Sequence, residues 1–493
     1  MVPYKTGLTA ARGWFVAFAW LAACSSPCLA GGLTGPAHVV VASAAARPLP
    51  HLLWVTPFAT LILAIAVLPL VPVAHHWWER NEIKLALGLT LGGMVLVHYA
   101  VRGYGYHGAG PGVPTVLAVL EHALLRDYVP FIVLLSGLFV ISGGIQIKGD
   151  LRASPALNTA LLGIGAVMAS LIGTTGASMI LIRPLLQANR DRQHVRHTVV
   201  FFIFLVSNIG GCLLPTGDPP LFLGYLNGVP FPWTLGLVGP WLLAVPSLLG
   251  VYYAWDSLAF RRESAESLAD DVRHRSPLRL HGAINLLWLL GVILAVGLVV
   301  PGRPWPGTDL VVVDYAREAI LIALSGLSLA TTPVGLREET EYSNAAIIEV
   351  ACLFAGIFLT MQVPIEILQS RGASLGLTTP AHFFWATGFL SSFLDNAPTY
   401  LVFFETAKTM PTRSGSVLVP LLDGSIRHDL LAAVSLGAVF MGANSYIGNA
   451  PNLMVKLIAE QRRVEMPGFF GYMAYSGVVL IPLFVLVEFL FLE

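Results

Sequence analysis

Two stretches decide the reading of this chain: Gly211-Cys-Leu-Leu-Pro-Thr-Gly217-Asp218-Pro-Pro220 and Gly442-Ala-Asn-Ser-Tyr-Ile-Gly448-Asn449-Ala-Pro451. Each has a Gly, a second Gly six positions on, a polar residue directly after it, and a Pro three positions after the second Gly. The segments before them also correspond: Ser170-Leu-Ile-Gly-Thr-Thr-Gly-Ala-Ser178 aligns with Ser392-Phe-Leu-Asp-Asn-Ala-Pro-Thr-Tyr400. All four lie in apolar runs. Gly and Pro interrupt helices and free backbone amides and carbonyls. In hydrocarbon each freed group costs several kcal/mol, so such breaks survive only around a cavity or a bound ion. Paired breaks at matching places in two halves point to the binding site of a secondary transporter. Close helix packing, the role expected of Gly88 and Gly92, explains glycines. It does not explain the Asp and Asn beside them.

Composition places these breaks in lipid. Of 493 residues, 56% are hydrophobic and 11% charged, and the mean hydropathy is +0.74. A soluble domain carries about 25% charged residues. Apolar runs recur near 52–74, 84–102, 116–143, 156–186, 199–226, 234–255, 282–300, 317–333, 345–363, 381–408, 429–456 and 470–491, each read as a span. The expected fold class is an all-α polytopic membrane protein. It is built from two inverted-topology repeats, 51–260 (with a preceding helix) and 281–493, joined by a cytoplasmic linker at 261–280. Arginines at 183, 190, 192 and 196, and again at 261, 262, 273, 275 and 279, mark two cytoplasmic loops. Lys456, Arg462 and Arg463 follow the second broken segment, so the two breaks run in opposite directions.

The ends and the cysteines add little chemistry. Lys5 and Arg12 precede a short apolar run from Trp14 to Cys24. Residues 1–30 therefore read as a signal peptide and 31–50 as a linker. Leu21-Ala-Ala-Cys24 also resembles a lipoprotein cleavage box, and an uncleaved first helix is the alternative. Cys24, Cys28, Cys212 and Cys352 form neither a disulfide framework nor a zinc spacing. The formal net charge is zero, which suggests no nucleic-acid partner. No histidine cluster, nucleotide loop or protease motif is present, so an enzyme is not expected and no cofactor is called for.

Asp218 and Asp395 are the sharpest site candidates. A carboxylate at membrane depth is expensive and is retained for function. It binds a cation when ionised and takes a proton when empty, and that competition suffices for exchange. As a metal site, the two aspartates are assigned to sodium. Capping a half-helix N-terminus is their structural alternative. Thr174, Thr175, Asn208, Thr216, Asn396, Asn444, Ser445 and Asn449, with Ser178 and Thr399, offer the neutral oxygens that hard cations prefer. Interhelical hydrogen bonding is the ordinary role of each. Glu349, in Ala-Ile-Ile-Glu-Val-Ala, is a possible second proton carrier or a residue near the membrane surface. Arg183 reads as a cytoplasmic anchor.

Phe-Val-Ile-Ser-Gly-Gly-Ile (139–145), Gly-Thr-Thr-Gly-Ala-Ser-Met (173–179), Ser-Asn-Ile-Gly-Gly (207–211), Gly-Asp-Pro-Pro-Leu-Phe-Leu-Gly (217–224) and Phe-Leu-Asp-Asn-Ala-Pro-Thr (393–399) carry a resemblance. From about Leu52 to the C-terminus the chain resembles a bacterial branch of the ion transporter superfamily. That branch is similar to NhaD-type sodium/proton antiporters and carries citrate-transporter-like domain names. The resemblance implies two inverted repeats, each with a re-entrant hairpin and a broken helix. It also implies a homodimer in the bacterial inner membrane and elevator-like motion of a transport domain. By position, Gly173-Thr174-Thr175 and Asp395-Asn396-Ala397 are the hairpin tips. Ser207-Asn208 and Thr216-Gly217-Asp218 lie in the first break, and Gly442 to Ser445 with Gly448-Asn449 in the second. Dicarboxylate carriers show Ser-Asn-Thr at both tips, whereas one tip here contains an acid. The functions expected are thus cation/proton antiport, with sodium and protons as transported species, or coupled carriage of citrate or another organic or inorganic anion.

Overall fold

The computed structural model describes residues 48–492 except 107, 265, 267–275, 306, 340–343 and 413–414. The expected signal peptide and nearly all of the linker that follows it lie outside the described residues. The chain is mainly helical. Among the described residues six helices are long and apolar enough to cross a membrane. They are Asn81–Val101, Val113–Ser142, Pro155–Ile172, Arg196–Leu213, Phe231–Phe260 and Phe469–Phe491. Ala345–Thr360 and Gln362–Leu375, bent by 44°, add a seventh if taken as one span. Exposed apolar side chains fit this solvent: on the last helix Phe470 is 82% and Val478 76% exposed. In water such a surface would drive association, whereas against lipid tails it costs nothing.

Two apolar runs expected as single spans, 156–186 and 381–408, are each divided in two. The first becomes Pro155–Ile172 and Thr174–Ala188, separated by Gly173 at φ 85°. A Cβ there would be strained, so glycine makes the turn possible. The arms fold back on each other: a Cβ built on Gly165 would lie 3.0 Å from Leu181 Cδ1, and these residues are equally far from the tip. The second becomes Pro380–Ser391 and Asn396–Lys408, which also pack together. Both first arms start alike. Ser154 accepts from Leu157 N–H and Thr379 from His382 N–H, and each cap is followed by a Pro at the first helical position.

The two broken helices are also built alike. Arg196–Leu205 continues through a short 3-10 turn, Ile209–Leu213, to Pro219–Leu226. His428–Met441 continues through Gly442–Asn444 to Ala450–Gln461. Asp218 (φ −145°, ψ 143°) and Asn449 (φ −152°, ψ 139°) cap the second halves in nearly the same backbone conformation. The repeated glycines now have a reason. A Cβ on Gly217 would lie 2.1 Å from Gly211 O, and one on Gly448 2.6 Å from Gly442 O. In each break the chain folds back until its two glycines touch. The halves then cross: Pro219–Leu226 packs on Asn396–Lys408, and Ala450–Gln461 on Thr174–Ala188.

The all-helical class holds, with a small addition. Two short antiparallel ladders occur among the described residues. Strand β1 (Gln146–Asp150) pairs with β2 (Ser276–His281), so the end of the expected 261–280 linker is held in a sheet. Leu418–Pro420 pairs with Ser425–Arg427. Gly88 plays the packing role expected of it: a Cβ there would meet Gly356 Cα at 2.9 Å, where Asn81–Val101 crosses Ala345–Thr360.

Candidate functional site

Four helix starts meet at one carboxylate. Asp218 is buried at 2% exposure and caps Pro219–Leu226. Its Oδ1 accepts from Thr174 Oγ1 at 2.9 Å and from Asn449 Nδ2 at 3.2 Å. Its Oδ2 accepts from Asn396 Nδ2 at 2.6 Å. Thr174, Asn396 and Asn449 stand at the starts of Thr174–Ala188, Asn396–Lys408 and Ala450–Gln461. A helix start points its free N–H groups outward and carries about half a positive charge. The local sequence favours this placement: in each break a short polar residue with extended backbone, Asp218 or Asn449, stands directly before the next helix, which opens with Pro at its first or second position.

Asp395 sits one residue before Asn396 at the second hairpin tip and caps that arm, accepting from Ala397 N–H at 3.1 Å. Its neighbour in the chain, Asn396, is the residue that donates to Asp218 Oδ2. Among the described residues no Lys, Arg or His forms an ion pair with either aspartate. The four helix starts offset roughly two negative charges, so they balance these carboxylates and leave little over.

The other expected residues fall around this pair. Asn449 Nδ2 also reaches Ser207 O at 3.1 Å. Thr216 Oγ1 donates to Leu171 O at 3.2 Å, fixing the first break to the first hairpin, and Thr174 N–H donates to Gly217 O at 2.8 Å. Thr175 is half-buried in the first turn after the tip. Ser178 bonds Ser207 at 2.9 Å, and Thr399 donates back to Asp395 O. Asn208 Nδ2 bonds Asn452 Oδ1 at 2.7 Å, tying one break to the other. Asn444 Nδ2 reaches Ser392 Oγ at 2.9 Å, and Ser445 Oγ donates to Ser392 O.

Among the described residues three buried amide oxygens accept from no donor: Asn208 Oδ1 and Asn444 Oδ1 in the two breaks, and Asn396 Oδ1 at the second hairpin tip. A buried acceptor left unpaired costs about 1–3 kcal/mol. A donor set of two carboxylates, amide oxygens and a threonine hydroxyl is all hard oxygen, the kind that alkali cations take.

Glu349 stands apart from this group. Its Oε1 pairs with Lys84 Nζ at 2.5 Å, with its own side chain 47% exposed and that of Lys84 only 3%. The run containing it is a helix as expected, but the acid projects towards a neighbouring helix instead of the breaks. Two residues that hold the site escape the sequence reading. Asn452 donates to Gly442 O and Ser445 O, each at 2.9 Å, and closes the second break. Ser392 takes both contacts from the Asn444-Ser445 pair. The available signal for Asn452 was a polar residue just past the break, where the first half has the apolar Leu221.

No curated protein matches the chain. A family model matches residues 47–492, a span that holds both hairpins and both breaks, and the chain belongs to that family, described as "Putative citrate transport".

Proposed function

We propose that this multi-pass membrane transporter is a sodium/proton antiporter of NhaD type, with Asp395 and Asp218 as its shared cation and proton site. The observation that carries the reading is Asp218, a buried carboxylate without an ion-pair partner among the described residues, held by Thr174, Asn396 and Asn449, with Asp395 next in the chain to Asn396 and the Asn396 amide oxygen left without a donor. On this reading the two carboxylates share one site, and neighbouring carboxylates do not both stay ionised without a cation between them. Sodium and protons therefore compete for one site. Asp218 supplies the held carboxylate and Asp395, at a hairpin tip, the movable one. The balance of helix starts against aspartates argues against a polyvalent anion as cargo, since among the described residues no Lys, Arg or His pairs with either aspartate.

The likeness of the two hairpin-and-break units supports an inverted repeat. On this reading segments 170–226 and 392–456 superpose after a half-turn about an axis in the membrane plane, within repeats 51–260 and 281–493. The same reading makes the protein a homodimer in a bacterial inner membrane.

The test uses purified full-length protein in vesicles holding a pH-sensitive dye. Added sodium should drive protons the other way across the membrane. Asp395→Asn should abolish this while its melting temperature in detergent stays near that of the native chain. Exchange at the native rate and pH profile in Asp395→Asn sinks the mechanism.

The family's name supports a second reading, a sodium- or proton-coupled carrier of citrate, in which the helix starts hold the anion and the aspartates only the coupling ion. Sodium-driven uptake of labelled citrate, with no proton movement in its absence, would favour it.

A further inference from the structure

A buried cation stands away from the aspartate cage. Arg317 and Glu318, near the start of Ala316–Thr331, are 5% and 4% exposed. A helix start is a poor place for a cation, since it already carries positive charge. An ionisable residue held inside a membrane protein is retained for function. The guanidinium has two attachments. Its Nε and Nη2 donate to Glu318 Oε1 at 2.9 and 2.5 Å. Its Cζ also lies 5.4 Å from the ring centre of Tyr225 and 5.8 Å from that of Phe222. Those rings stand three residues apart on Pro219–Leu226, the half-helix that Asp218 caps, and so share one face. The end of that half-helix carries the negative charge that a cation offsets. Tyr225 makes a further contact: its hydroxyl donates to Val296 O at 2.7 Å. Val296 is in the last turn of Ile284–Leu298, where helix carbonyls lack helical donors. Another face of the half-helix meets the second hairpin arm, where a Cβ on Gly224 would lie 2.3 Å from the Tyr400 hydroxyl oxygen.

We propose that Arg317, Tyr225 and Val296 O form a latch between the half-helix that Asp218 caps and the helices Ile284–Leu298 and Ala316–Thr331, and that each transport cycle opens it. Those two helices pack on each other and on Val129–Ser142, outside the hairpins and breaks. Alternating access moves the part that bears the site against the rest, so contacts across that boundary must break and re-form. A cation over a ring and a hydroxyl on a carbonyl are each weak enough to do so. Arg317 also keeps Glu318 when the rings leave, so opening strands no unpaired charge. A buried ion pair between the two parts would instead resist opening. The inference needs only that the protein transports, whichever ion is carried.

The test uses full-length protein in which Cys24, Cys28, Cys212 and Cys352 are replaced by Ser and a cysteine pair is placed by Tyr225→Cys with Val296→Cys. In vesicles the pair is joined by a short bis-methanethiosulfonate reagent, which a reductant releases. Sodium-driven proton flux and labelled-citrate uptake are both followed. Joining should cut whichever flux the protein shows by about tenfold or more, and reduction should restore it. Flux at the unjoined rate in the joined protein overturns the latch. A second measurement needs no flux and covers failure of that variant to fold or to transport. Spin labels at Asn227 and Arg303, on opposite sides of the contact, report the distance across it with Tyr225 kept and in Tyr225→Leu, which leaves the Arg317–Glu318 pair intact. Two populations are expected, the longer one rising about threefold or more in Tyr225→Leu. Should Tyr225→Leu not fold, Tyr225→Phe, which removes only the bond to Val296 O, replaces it. The same distance distribution in native and variant protein shows a static contact and overturns the proposal.

Discussion

Asp218 shows how much one side chain can organise. Three donors from three different helix starts converge on its two oxygens. An ionised carboxylate accepts all three. An amide in its place must turn one N–H group towards a donor, and it carries no charge. Asp218→Asn should therefore slow sodium-driven proton flux strongly and raise the sodium concentration needed. It should also lower the melting temperature, since a buried donor left facing a donor costs about 1–3 kcal/mol. Flux at native sodium dependence would count against Asp218 as a ligand. Which polar residues matter was legible here only in part. Asp218 and Asn449 follow a repeated Gly, so their importance could be read from spacing. Asn452 and Ser392 act through partners about ten and fifty residues away, which no local pattern announces. Glu349 read either as a second proton carrier or as a residue near the membrane surface, and nothing local announced that Lys84, 265 residues earlier in the chain, meets it across a helix pair.

The glycine-paired break is the element on which the site depends. A Cβ on Gly448 would lie 2.6 Å from Gly442 O and 2.7 Å from Ser391 O, both backbone atoms that cannot step aside. Gly448→Ala should destabilise the protein by about 1–3 kcal/mol, as overpacking does, seen as a lower melting temperature in detergent. Gly93→Ala is the control. It lies inside Asn81–Val101 with nothing within 4 Å of the added methyl, so it should be neutral or slightly stabilising. Equal losses in both variants would show that the contact is not what holds the break. The six-residue spacing was visible in the sequence. That it exists so that two glycines can touch is a fact of tertiary structure.

Across the whole molecule, a buried ionic cluster fastens the loop after the first hairpin to the end of Phe231–Phe260. Arg192 grips Asp256 with both Nη atoms at 2.7 and 3.1 Å, and its Nε lies 3.4 Å from Glu263. All three side chains have no exposure. His197 Nε2 reaches Asp256 at 2.8 Å. Burial alone would raise the Glu263 pKa. The N–H groups of Gln193 and His194, together with Arg192, outweigh burial and hold it below the ordinary value of 4.5. A depressed folded-state value stabilises above the unfolded value, and that stability is lost as pH falls through the folded one. The melting temperature should therefore decline as pH drops below about 4.5, and Glu263→Gln should flatten that decline. An unchanged pH profile in Glu263→Gln would remove the acid from this role.

The sequence by itself determined the solvent, the helical class, and the two places where helices break. Composition, run length and Gly/Pro chemistry are local properties that need no partner. It also marked Asp218 and Asp395, because a carboxylate in an apolar run is conspicuous wherever it folds. Only the tertiary structure decided that Asn396, next to Asp395, bonds Asp218 across 178 residues of chain. It also decided that Glu349 turns to Lys84 and that β1 finds β2 about 130 residues later. Each of these is a contact between segments far apart in the chain. Their energy comes from hydrogen bonds, packing and charge, which arise only once helices pack together, and hydropathy or spacing along one strand of sequence carries no trace of the partner.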